Sequence, residues 1–311
     1  MALDDVKLTG QPAQLFLPSL NGEQNDPSFP KLDLADFTKT LEQMYVAHPT
    51  IKTRAVPVPR ETSLALVNER SGKVIATVGN QHTVVQNHVL HSAMERTLSN
   101  LIPKSWEVIL EEAVSNEGGF TSLTYRLTDY SAEIRQSNGI TTTLSMQLHL
   151  VNPTTRAVTA FCSFRDASCN NNVVFTNFKA TSPHLESFST DPLEGYIEAV
   201  MHQAPDYIDR LQEYANTPLP VSKFDEVLGA QGFITPTIKE AVLRQYREVE
   251  TPNRGANVFA GLSSLAAWAT HNQGDFYVRN SANSDNEAEA LFARMEKIMR
   301  IVGSTAWGGL V

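Results

Sequence analysis

Only two cysteines, Cys162 and Cys169, occur in the 311 residues. No disulfide framework and no cysteine-rich zinc site can be built from them. A reducing, cytoplasmic compartment is the expectation that follows. Long apolar runs are also missing. None approaches the roughly 20 residues that cross a bilayer, so no membrane span is expected. The opening MALDDVKLTG carries two acids and no apolar stretch, which predicts no secretory signal. The fingerprints of nucleotide and hydrolase chemistry are absent too. There is no GxxxxGK[ST] phosphate loop, no GxGxxG after a strand, no GxSxG and no HExxH. A P-loop ATPase is excluded on this ground, and no cofactor is expected.

What is present reads as an ordinary folded protein, 41% hydrophobic and 19% charged. The net charge of −9 is unevenly spread. Residues 57–183 hold ten Lys/Arg against ten Asp/Glu, while residues 184–311 hold ten against seventeen. An acidic total opposes a long non-specific grip on phosphates, yet the neutral portion can still carry a local basic groove.

Three regions follow from the pattern. Residues 1–60 read as an irregular N-terminal arm rich in Pro, Asn and Gly, with one helix over 34–47 and an extended VPVPR at 56–60. Residues 61–190 predict an antiparallel sheet with a packed helix. SLALVNERSGKVIATV (63–78) reads as a hairpin turning at Arg70-Ser71-Gly72, and a helix is expected over 87–101. Strands are expected at 106–113, 122–128, 157–164 and 173–175. The clearest alternation is TLSMQLHLV (143–151). Leu144, Met146, Leu148 and Leu150 share one face, with Ser145, Gln147 and His149 on the other, which predicts a half-buried strand. Residues 191–311 are helical in period. Helices are expected from Asp191-Pro192, where Pro205 should kink the run, and over 222–228, 236–248, 258–270 and 285–302. The fold class expected is α+β, a mostly antiparallel sheet followed by a helical half packed on it.

Two constellations carry candidate chemistry. His88, His91 and Glu95, spaced i, i+3, i+7 on the first helix, could hold a metal, or could simply line a solvated helix face. Paired-acid catalysis by the carboxylates is open but has no support in the spacing. Glu111-Glu112 alternates along a strand, and Asp129 and Glu133 sit in turn-like sequence. The second constellation is FRDASCNNNVVFTNFK (164–179). Its asparagines can staple a tight loop. Turned outward, Asn170 and Asn171 can bond bases or phosphates, Arg165 and Lys179 can neutralise phosphate, and Phe164, Phe175 or Phe178 can stack as readily as fill a core. Arg126, Arg135 and Arg156 extend the basic surface. Cys169 reads as a small buried residue. In the tail GSTAWGGLV, Trp307 packs either on its own domain or on a neighbouring subunit.

Cys169-Asn170-Asn171, with an arginine shortly before and His184 after, resembles the central Arg-x-x-Cys-x-Asn segment of a phage- and plasmid-borne family of unknown function numbered 932. ANVFAGLSSLAAWATH (256–271), the final helix with its small-residue end, and GKVIATVGNQHTVVQN (72–87) are similar to further segments of that family. Arg165 stands four residues before Cys169 rather than three, and a second asparagine replaces a frequent Gly or Thr. The resemblance covers roughly residues 60–311 and implies a phage replication or recombination accessory. It implies a fold order like that of single-strand annealing proteins. The expected function is therefore ATP-independent binding and annealing of single-stranded DNA by a homo-oligomer in the host cytoplasm. A metal-dependent nucleic-acid enzyme, or a structural or host-interaction protein using the acidic helical half, are the alternatives.

Overall fold

The computed structural model describes residues 31–33, 53–57, 63–69, 71–169, 171–173, 179–271 and 286–311. The expected helix over 34–47, the turn residue Arg70, and Asn170, Phe175 and Phe178 lie outside the described residues.

Strands β1 (Lys31–Asp33), β2 (Thr53–Pro57), β3 (Ser63–Asn68) and β4 (Val74–Gly79) come first. Helix α1 (Asn87–Leu101) separates them from β5 (Glu107–Ser115), β6 (Phe120–Arg135), β7 (Thr141–Pro153) and β8 (Val158–Asp166). Short strands β9 (Asn172–Val173) and β10 (Ala180–Ser182) close the sheet. The main sheet runs β1-β5-β6-β7-β8-β10, with β9 also on β8, and β2-β3-β4 form a second sheet. Every pairing is antiparallel. Part of the N-terminal arm is therefore strand, since β1 and β2 edge the two sheets.

Helices then follow. They are α2 (Asp191–Asn216), α3 (Val221–Gly229), α4 (Pro236–Gln245), a π-helical turn (Tyr246–Glu250), α5 (Thr251–Arg254), α6 (Val258–Thr270), α7 (Glu287–Val302) and α8 (Thr305–Gly308). The fold is α+β with a helical C-terminal half. Local chemistry explains several starts. Thr235 accepts from the Ile238 amide ahead of Pro236, and Asn257 accepts from the Ala260 amide. Helix α2 continues past Pro205, held by a buried stripe that includes Leu193, Ile197, Val200, Ala204 and Leu211.

Two strand readings are corrected. Asp129 and Glu133 belong to β6, not to a turn. The strand spans 16 residues and absorbs its polar middle through a register shift between Leu127 and Ser131. The other correction concerns β7. The apolar face that it shares with β6 and β8 lies beneath α2, which packs on those two strands, and the Tyr125 hydroxyl of β6 meets His91 of α1. Its polar face is not solvated. Gln147 is 1% exposed and His149 3%, because helices cover that face as well. Helix α7 packs on β5 and β6 there, and Phe292 meets the rings of Phe120 and Phe161. The sheet is a middle layer, so alternation along β7 separates an apolar interior from a hydrogen-bonded one.

Trp307 lies in α8 near the C-terminus. It is fully buried against Tyr214 and Phe224, at ring distances of 6.1 and 6.5 Å. The tail is seated in its own chain.

Candidate functional site

Antiparallel register puts opposed residues on one face of a sheet. Glu111 stands opposite Thr124, Thr124 opposite His149, and His149 opposite Phe161. One step along, Arg126 faces Gln147 and Gln147 faces Ser163; one step further, Ser145 faces Arg165. Residues far apart in sequence thus share the polar face.

Two of the expected cations converge here on a single acid. Arg165 Nη1 donates to Glu111 Oε1 at 3.1 Å, and Arg126 Nη2 lies 3.8 Å from the same oxygen. The three side chains are 17%, 21% and 10% exposed. Arg126 Nε is buried and finds no hydrogen-bond partner among the described residues. Burial first, and then the neighbouring Arg165, lower the Arg126 pKa, while Glu111 and Glu107 act in the opposite sense. Two cations thus share one carboxylate, and Glu107 also acts on Arg126.

A second pair of cations repeats the pattern at the edge of α7. Lys179 Nζ donates to Glu296 Oε1 at 2.6 Å, and Arg156 Nη1 reaches Glu296 Oε2 at 3.5 Å. Arg156 Nη2 also meets Glu289 Oε1 at 3.3 Å, and its guanidinium carbon lies 5.8 Å from the Phe292 ring centroid. Arg135 stands apart. Its side chain is exposed at the far end of β6, and its backbone exchanges two hydrogen bonds with the Gln212 amide.

The remaining expected contacts turn inward. Phe164 is a fully buried core residue, so its ring presents no face to a base. Asn171 is 1% exposed, and its carbonyl accepts from the Asp166 amide at 3.0 Å. Its loop is stapled by an ion cluster that sequence reading did not find. Arg254 donates to Asp166 Oδ2 through Nη2 at 2.5 Å and to Glu250 Oε2 through Nε at 2.7 Å. Ser168 caps the other Asp166 oxygen at 2.6 Å, and Gln245 donates to Glu250 at 2.9 Å. Burial alone would lower the Arg254 pKa; Asp166 and Glu250 more than offset it, so the guanidinium stays charged. Cys169 lies 3.6 Å from Arg254 Nη2, and burial, then Asp166, push its thiol up to about 12. A thiol raised so far holds little thiolate near neutral pH.

The metal reading loses its geometry. His91 is 5% exposed and its Nδ1 sits 2.7 Å from the Tyr125 hydroxyl, whereas His88 points outward. No group of three or more His, Cys, Asp or Glu side chains gathers into a metal-ligating set among the described residues.

A series of Thr124, His149 and Ser163 invites a catalytic reading that its hydrogen bonds contradict. Ser163 Oγ donates to Gln147 at 3.3 Å, so it accepts from His149 Nε2 at 2.7 Å, and Nδ1 accepts from Thr124 at 2.9 Å. With Ser163 Oγ donating to Gln147, the tautomer that satisfies this network has the imidazole donating to Ser163 rather than acting as its base. All three residues are sealed, and burial drives the His149 pKa down to about 3.

No protein-family model, curated protein or solved structure matches this chain.

Proposed function

We propose that the chain binds single-stranded DNA without ATP and promotes annealing, holding the backbone through cations set on one side of its sheet. One observation carries this reading. Arg126 with Arg165, and Arg156 with Lys179, each share one carboxylate. Each pair sets two cations around one shared acid, with Glu289 a second partner of Arg156, and phosphate is the anion that guanidinium groups bind in two-pronged fashion. The sequence's lack of a phosphate loop supports an ATP-independent role. Base stacking is not part of the proposal at Phe164, which is core. Contacts would be to phosphate and sugar, leaving base edges free to pair.

Fluorescence anisotropy with a labelled oligonucleotide tests this. Binding is expected at low salt, weakened at least tenfold by Arg156→Ala combined with Lys179→Ala. Saturation unchanged in that variant would remove the assigned contacts. No binding at tens of micromolar protein would remove the function.

A further inference from the structure

Glu296 is the only acid that meets both Arg156 and Lys179 among the described residues. It sits on α7, the helix that covers the polar face of the sheet. Its side chain is 19% exposed, while Lys179 is 37% and Arg156 44% exposed, so solvent and solutes reach the cluster. The two carboxylate oxygens are divided between the cations, Oε1 to Lys179 and Oε2 to Arg156. That is the arrangement a phosphate with two free oxygens would take between the same groups.

We propose that Glu296 is an internal stand-in for phosphate, an autoinhibitory carboxylate that occupies the two cations until a nucleic-acid backbone displaces it. This rests on the single-strand-binding reading and concerns its regulation. The physical logic is competition. A carboxylate tethered on the protein is present at high effective concentration, so an incoming phosphate must outbid it or bring neighbouring phosphates that bind elsewhere. Isolated phosphate, or a very short oligonucleotide, fails to open the cluster. A longer strand gains contacts at several points and succeeds. The carboxylate therefore sets a threshold of strand length. The pairs are too exposed to be needed for folding, because half-exposed ion pairs add little stability.

Binding of a labelled single strand by wild type, Glu296→Gln, and Glu296→Gln combined with Arg156→Ala and Lys179→Ala tests the idea. Glu198→Gln, an exposed acid on α2, controls for the general effect of removing one negative charge. Thermal melting of each variant confirms folding. Glu296→Gln should bind about tenfold tighter at low salt, with a salt slope steeper by about one, because Lys179 is freed to meet a phosphate while Arg156 keeps Glu289. The gain should vanish in the triple variant and be absent in Glu198→Gln. Wild-type binding that Glu296→Gln leaves unchanged overturns the gate but leaves the function standing. A gain matched by Glu198→Gln, or one that survives in the triple variant, also overturns it. If neither wild type nor Glu296→Gln binds, both proposals fall.

Discussion

Arg254 reaches across 88 residues of chain to place Nη2 2.5 Å from Asp166 Oδ2, with both side chains almost wholly buried. The same guanidinium holds Glu250, so three charges meet in the interior and fix the loop after β8 against the π-helical turn. Removing the arginine strands two buried acids. Arg254→Met should cost about 3–5 kcal/mol in urea unfolding. Arg254→Lys should recover little, since an ammonium cannot make both directed contacts. A loss under about 1 kcal/mol for Arg254→Met would show that the acids find other partners.

The contrast between what could and could not be read in advance is clearest at these residues. Thr235-Pro236 announces a helix start with local chemistry, and the helix forms there. The apolar set Leu144, Met146, Leu148 and Leu150 is legible from alternation alone. The burial of Gln147 and His149 is not, because it depends on a helix that arrives more than 100 residues later and covers the opposite face. Arg254 escapes notice for a related reason. It follows Pro252 and precedes Gly255, whose φ of 83° ends the helix, so the local sequence reads as a terminus. Its partners are set by tertiary structure. Likewise Arg126, Arg156, Arg165 and Lys179 are visible as cations, but only register and packing reveal that Glu111 and Glu296 hold them.

Acid should destabilise the fold through His149. Its ring stacks on Phe161 at 4.3 Å, with burial holding its pKa near 3 against 6.5 for a free imidazole. A depressed pKa means that the unfolded chain takes up the proton first. The contribution is fully present above pH 6.5 and is lost as pH falls toward 3. The loss is on the order of 5 kcal/mol. His82, His184 and His271 are also lowered by burial and act in the same direction. Glu112 opposes them. Burial raises its carboxyl to about 7 from 4.5, so its contribution fades as pH rises through that window. Urea titrations across pH should show the acid-side slope flattened in His149→Gln. An unchanged slope would mean that the imidazole is solvated in the native state.

Neither thiol should react while the protein is folded. Cys162 is fully buried with its pKa raised far above the ordinary thiol value, and the Cys169 thiol is pushed up to about 12. A chromogenic disulfide reagent near pH 8 should release colour from both cysteines only after denaturant is added. Rapid stoichiometric reaction of Cys169 in native protein would contradict its burial beside Asp166.

Deleting residues 304–311 removes Trp307 from the pocket formed with Tyr214 and Phe224. The expected outcome is a lower melting temperature, from a loss of about 3–5 kcal/mol as for other large buried aromatics. Light scattering should show the folded truncation at the mass of the full chain. Unchanged melting together with a smaller assembly would instead make the tail an intersubunit element.

The central claim concerns phosphate recognition by cations that internal acids hold in readiness. Its most direct measurement is the salt dependence of single-stranded DNA affinity for the full-length protein and for Arg126→Ala combined with Arg165→Ala. The account predicts a straight loss of log affinity with log salt, at roughly −0.7 per phosphate contacted, and a shallower line by about one contact or more for the variant. A flat line, parallel lines of equal affinity, or no binding at tens of micromolar protein would contradict it.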